Sequence, residues 1–147
     1  RVTPTLLEDG AVTGERVISE RVSRQVRDML RQTVSRGTAS FADIEGYEVA
    51  GKTGTADKPL PTGGYAKDKV IATFVGAFPA SDPEYVLLIG LDEPENRENA
   101  QAFRTAGWTA VPVAGDAIRR LAPLLGMRPI EKRKLPEPLL YTMAGND

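Results

Sequence analysis

The chain has no cysteine and no histidine. Without cysteine there is no disulfide, no thiolate metal site and no cysteine nucleophile, and that absence fits either side of a membrane. Without histidine the usual general base and the commonest metal ligand are gone. Hydrolytic or acyl-transfer chemistry would have to take its base from lysine or carboxylates. An excess of one charge is lacking too: 19 bases against 20 acids leave a net charge of −1. That balance argues against a nucleic-acid groove or an anionic-membrane patch. No apolar run reaches the roughly 18 residues of a bilayer span. What is present is 147 residues, 41% hydrophobic and 27% charged, enough for one ordinary domain, or a large piece of one, with a core.

The segment Tyr47-Glu48-Val49-Ala50-Gly51-Lys52-Thr53-Gly54-Thr55 carries most of the functional information. From Gly46 to Thr53 it matches G-x-x-x-x-G-K-T, a phosphate-cradling P-loop. From Tyr47 it reads as a short strand ending in Lys-Thr-Gly, a motif of penicillin-binding proteins and serine β-lactamases. A P-loop must run straight into a helix whose N-terminus holds the phosphates. Here Pro59, Pro61, Gly63 and Gly64 follow within a turn or two, and no helix survives that run. The apolar run Val86 to Leu91 ending in Asp92-Glu93 imitates the acidic strand of nucleotide-binding enzymes. Parallel pairing of the two strands would need a long crossover. The chain offers only another strand and the hairpin-length Pro79-Ala80-Ser81-Asp82-Pro83-Glu84. The expected order is an antiparallel meander of strands at about 47–55, 70–78 and 85–92. A nucleotide-binding module, Gly46 to Thr53 with Asp92-Glu93, is the alternative function, and a non-catalytic interaction domain with an incidental Lys-Thr-Gly is a third.

Two helices flank the strands. Ser19 is placed to cap the first, whose apolar residues Ile18, Val22, Val26, Met29, Leu30 and Val34 recur at three-to-four spacing. Arg31 and Arg36 suit its C-terminal dipole, and Gly37 suits the position after it. The second begins near Thr109, tolerates Pro112 in its first turn, and is expected to bury Val113, Ala117, Ile118, Leu121 and Leu125 before Gly126 stops it. Residues 127–147 read as an extended tail. The apolar opening Val2-Thr3-Pro4-Thr5-Leu6-Leu7 gives the expectation of a segment cut from a longer fold, with sheet faces left without cover.

Gly51-Lys52-Thr53-Gly54-Thr55-Ala56, then Gly64-Tyr65, Phe74-Val75-Gly76-Ala77-Phe78-Pro79-Ala80 and Asp92-Glu93-Pro94 resemble the C-terminal half of the transpeptidase domain of class B penicillin-binding proteins, most closely the septal, cell-division type. Val2 to Leu7 and Ala106-Gly107-Trp108-Thr109-Ala110-Val111-Pro112-Val113 resemble the stretches before and after that core, so the resemblance spans about residues 1–130. It implies an α+β fold, an antiparallel sheet with packed helices. It also implies a D,D-transpeptidase that cross-links peptidoglycan stem peptides ending in D-Ala-D-Ala, is acylated by β-lactams, and needs no cofactor. A membrane anchor outside this chain, the periplasmic face of the inner membrane and division-machinery membrane proteins as partners are implied likewise. The family's Ser-x-x-Lys and Ser-x-Asn motifs are absent. Ser19, Ser23, Ser35, Ser40 and Ser81 precede Val22, Val26, Thr38, Asp43 and Glu84 by three, and no serine has asparagine two residues on. The missing N-terminal part of the same domain would have to supply them, so the isolated segment is expected to be inactive.

On a strand Thr53 and Thr55 share one face because side chains alternate. Two hydroxyls about 7 Å apart beside a cation suit a substrate carboxylate. The resemblance makes that the D-Ala-D-Ala terminus or the β-lactam carboxylate. Lys52 has the other parity but is long enough to reach the absent serines and assist proton movement. Gly54 would let substrate backbone lie close, and the Thr55 N–H would be an oxyanion donor. Lys52 and Thr55 are the candidate catalytic residues; Thr53, Gly54, Thr55 and Phe103 the candidate substrate contacts. Phe103 fits either the cleft or a loop anchor. Trp108 reads as core packing at a helix start. Glu93, Glu95 and Glu98 read as a solvated loop with no metal-site geometry, and Lys67, Asp68 and Lys69 as a charged loop flank. The C-terminal helix is expected on the sheet face away from the substrate.

Overall fold

The structure is a computed structural model and describes residues 14–95 and 104–130. Helix α1 (Glu20–Arg36) leads through a short 3-10 turn (Ser40–Ala42) to strands β1 (Ala50–Pro59), β2 (Tyr65–Phe78) and β3 (Tyr85–Asp92), and then to helix α2 (Ala110–Leu124). The strands form one sheet in the order β1-β2-β3. Both pairings are antiparallel, with Thr53 opposite Phe74 and Phe74 opposite Ile89. This is the expected meander, in an α+β arrangement of an antiparallel sheet with packed helices.

The elements begin and end where local chemistry dictates. The Ser19 hydroxyl accepts the Val22 N–H at 3.3 Å and caps α1. Gly37 does not take the left-handed conformation expected of it. Its φ is −119°, and its value lies in space, since a Cβ there would meet the Thr33 carbonyl oxygen at 2.8 Å. At the end of α2, Gly126 does turn left-handed (φ 77°). Its N–H meets the Pro123 carbonyl and that of Met127 the Ala122 carbonyl, the paired closure that glycine permits. The first hairpin is longer than the sequence implied. β1 starts later, at Ala50, because Glu48 (φ 43°) makes a turn. It continues to Pro59 with a register shift after Asp57, and Gly63 and Gly64, both left-handed, close the tip. Lys67, Asp68 and Lys69 therefore lie inside β2.

Alternation in the strands separates two faces. On one, Ala72, Phe74 and Phe78 are buried, with Leu87, Ile89 and Leu91 beside them against Val111, Ala114, Ile118 and Ala122 of α2. On the other, Ile71, Val75, Val86 and Leu88 stay exposed, Val86 at 74% and Leu88 at 66%. The apolar residues Val22, Val26 and Met29 of α1 are exposed as well; Val34 is the buried residue of that helix. Uncovered apolar surface was the expectation, and these residues carry it.

The buried stripe of α2 shares Ile118 with the expected one and otherwise differs from it. Val113, Leu121 and Leu125 are exposed, while Ala110, Val111, Ala114, Gly115, Ile118 and Ala122 are buried. Small residues win because the helix sits close: a Cβ on Gly115 would meet the Phe41 carbonyl oxygen at 2.5 Å. Trp108 is likewise not core. It is 46% exposed and packs its ring tilted against Phe41, with ring centroids 5.4 Å apart.

Candidate active site

β1 is an edge strand among the described residues, and Lys52, Thr53, Gly54 and Thr55 lie along it. Gly51 sits where it does because Phe74 needs the space. A Cβ there would meet the Phe74 ring at 2.5 Å and the Val75 carbonyl oxygen at 2.6 Å, and the cross-strand Gly76 is covered by the same ring. Gly54 has an internal neighbour of the same kind, the Thr73 hydroxyl, 2.5 Å from where a Cβ would stand. That hydroxyl donates to the Gly54 carbonyl at 3.3 Å.

The register puts Thr53 and Thr55 on the face of Phe74 and Ala72, and Lys52 on the other. The threonines thus share a face, as read from their spacing. It is also the α2 face, so the expected separation of α2 from the site holds for Lys52 alone. Lys52 curls back over the edge: its Nζ donates to the Thr53 carbonyl at 2.8 Å and approaches Thr53 Oγ1 at 3.4 Å. Thr53 Oγ1 lies 3.2 Å from Thr38 Oγ1, in the loop after α1. Thr55 Oγ1 accepts the Ala106 N–H at 3.0 Å. Neither Thr38 nor Ala106 is a candidate site residue in the sequence; Ala106 enters there only within the stretch resembling the segment after the core. Ala106-Gly107 offered a faint signal as a small pair before a helix, and Thr38 offered none. Phe103, the remaining candidate contact, lies outside the described residues, as do Glu98 and the stretches 1–13 and 131–147.

The nucleotide-binding alternative is overturned by this geometry. Lys52 stands inside a strand that continues for seven more residues, and no helix begins there. Gly46, the first glycine of the apparent P-loop, makes a turn (φ 85°) under Pro129. The acidic pair has another task. Lys58 Nζ is 2.8 Å from Asp92 Oδ1 and 2.8 Å from Glu93 Oε1, and Lys69 Nζ is 3.1 Å from Glu93 Oε2. These ion pairs tie the far ends of all three strands, so Glu93 is not merely solvated.

The hydrogen bond from Lys58, then that from Lys69, holds the Glu93 carboxyl below the usual glutamate range, and the hydrogen bond to Asp92, then that to Glu93, raises Lys58. The sign follows. A lowered carboxyl contributes stability above its unfolded value, about 4.3, and loses it as pH falls through the folded value; a raised lysine loses its contribution only as pH climbs past its folded value. The cluster therefore stays closed through neutral pH. Lys58→Met is expected to move the Glu93 titration midpoint upward, toward the ordinary range, read by carboxyl carbon NMR. An unmoved midpoint would contradict the assignment of Lys58 as its main partner.

The described residues thus present a strand edge with a lysine, two hydroxyls and a glycine, backed by an antiparallel sheet and a C-terminal helix. The family model for the penicillin-binding protein transpeptidase domain matches residues 1–110. The chain belongs to that family, and to its class B members. It is 36% identical over 133 residues to stage V sporulation protein D of Bacillus subtilis, covering 88% of this chain and 20% of that protein. It is 38% identical over 123 residues to the probable peptidoglycan D,D-transpeptidase FtsI of Caulobacter vibrioides, covering 78% and 21%. The chain thus spans about a fifth of the length of these relatives. Among solved structures, the apo transpeptidase domain of Burkholderia pseudomallei penicillin-binding protein 3 aligns with a TM-score of 0.71 at 32% identity, covering 87% of this chain and 37% of that one. Penicillin-binding protein 3 of Mycobacterium tuberculosis in complex with ampicillin aligns with a TM-score of 0.67 at 33% identity, covering 88% and 31%.

Proposed function

We propose that this segment supplies the lysine-threonine-glycine edge of a serine-type D,D-transpeptidase that cross-links peptidoglycan stem peptides during cell division. In this reading the nucleophilic serine and the Ser-x-Asn serine come from an N-terminal part of the same domain, and the 147 residues alone are inactive. β-Lactams acylate the same serine. The catalytic domain works on the periplasmic face of the inner membrane beside division-machinery membrane proteins, with its anchor elsewhere. Among the described residues no helix is long and apolar enough to cross a membrane.

The observation that carries the reading is the chemistry of the β1 edge. Lys52 and the hydroxyls of Thr53 and Thr55 lie along a strand edge that no neighbouring strand covers among the described residues, and together they offer the donors a carboxylate accepts. In this reading the Thr55 N–H is an oxyanion donor, and strand parity supports it. The Thr73 hydroxyl reaches the Gly54 carbonyl from β2, and Lys52 reaches the Thr53 carbonyl. Backbone groups alternate in direction along an antiparallel strand, so the Thr55 N–H, of the same parity as Thr53, faces the free edge. An extended peptide laid along that edge would meet it by strand addition.

A fluorescent penicillin run on the full-length protein tests the reading directly: a labelled band is expected, and its absence overturns the proposal. Thr55→Ala keeps the backbone donor and removes one hydroxyl. A hydrogen bond to a charged group contributes about 1.5–3 kcal/mol, so the second-order rate of acylation is expected to fall roughly ten- to a hundredfold.

A further inference from the structure

The two threonine hydroxyls are held from behind by groups that the sequence did not mark. A hydroxyl has one hydrogen and two lone pairs, an amide N–H only donates, and an ammonium only donates. The Ala106 N–H gives its hydrogen to Thr55 Oγ1 at 3.0 Å, which leaves the Thr55 hydrogen for another acceptor. Thr53 Oγ1 already takes a hydrogen from Lys52 Nζ at 3.4 Å and has Thr38 Oγ1 at 3.2 Å. The hydrogen between those two hydroxyls can run either way. When Thr53 donates to Thr38, nothing is left for a ligand. When Thr38 donates to Thr53, the Thr53 hydrogen is released.

An arriving carboxylate decides the direction. It has acceptors only, and a bond to a charged acceptor is roughly twice as strong as a neutral one. The anion therefore takes the Thr53 hydrogen, and Thr38 supplies the replacement. Thr38 also sets the other tie. A Cβ on Gly107 would stand 2.7 Å from the Thr38 carbonyl oxygen, so the Ala106-Gly107 backbone rests on Thr38 while Ala106 serves Thr55. We infer that Thr38 is a positioning residue that turns both threonine hydroxyls outward, its own hydroxyl acting on Thr53 and its carbonyl seating the Ala106 N–H against Thr55.

The inference rests on the proposed carboxylate site, and its test separates the two. In the full-length protein, second-order acylation rates are compared for a fluorescent penicillin and for the methyl ester of its carboxyl group. Should the wild-type protein acylate with neither, the proposed function falls and this inference with it. Given wild-type acylation, Thr38→Val is expected to lower the acid-to-ester rate ratio about three- to tenfold, the range of one neutral hydrogen bond. Thr38→Ser, which keeps the hydroxyl, is expected to restore it. Gly107→Ala, which lifts the loop from Thr38, is expected to lower the ratio without touching any hydroxyl. Thr38 has no positioning role if the Val variant keeps the wild-type ratio, if acid and ester rates fall by the same factor, or if Ser is no better than Val.

Discussion

Lys52→Ala in the full-length protein is expected to slow acylation by a labelled penicillin more than a hundredfold, beyond the effect of Thr55→Ala. On the proposed reading, the threonine change removes one hydrogen bond to the anion, and the lysine change removes the cation that offsets the anion's charge. It also removes the donor to Thr53 Oγ1 and, on the proposed reading, the group that raises the potential beside the nucleophilic serine. Preorganised donors of this sort are each worth roughly 10²–10³ in rate, and activation of the nucleophile adds to that. Folding is not at stake, because Lys52 is exposed and its contacts are with its own neighbour Thr53. A variant with an unchanged melting temperature and wild-type acylation would remove β1 from the active site.

Phe74→Ala is expected to produce the largest loss of stability among single changes in the sheet, about 3–5 kcal/mol. The ring is fully buried at the centre of β2, with Thr53 on one side and Ile89 on the other. It also fills the space over Gly51 and Gly76, with only a Val49 methyl sharing the position over Gly76. Deleting it leaves a cavity floored by two glycines, and a strand pair without side chains cannot collapse into it. Urea unfolding of the full-length protein, followed by a probe in this domain, measures the loss. A cost below about 1 kcal/mol would show that the sheet closes over the gap.

Much of this was legible, and the reasons lie in particular residues. The meander could be read because Pro59, Pro61, Gly63 and Gly64 exclude the helix that a P-loop needs, and because the six residues Pro79 to Glu84 are too few for a crossover. The Ser19 cap and the Gly126 stop are local rules that tertiary contacts left intact. The hairpin's true length was hidden because its outer half is polar and pairs through backbone, which leaves no hydrophobic period to detect. The face of α2 was misjudged because periodicity weighs large residues, whereas Ala110, Ala114 and Gly115 are buried for being small. In the site, Lys52, Thr53, Gly54 and Thr55 declare themselves as a contiguous motif. Thr38 and Ala106 reach it from 15 and 51 residues away, and nothing in a single sequence announces a contact of that span. Gly51 and Gly54 show the limit from the other side: they stand in the motif by their letters, while their internal neighbours, Phe74 and Thr73, became visible only in three dimensions.

Val86 and Leu88 give β3 an apolar side that looks outward, on a strand whose far edge is unpaired among the described residues. An unpaired edge strand that also carries exposed apolar side chains is where two molecules can zip together. Prepared alone, the segment would find another copy of itself readily, so its shelf life in solution would be governed by concentration more than by temperature. A purified preparation that passes every spectroscopic check when dilute and turns cloudy on concentration would be reporting on that one face of the sheet.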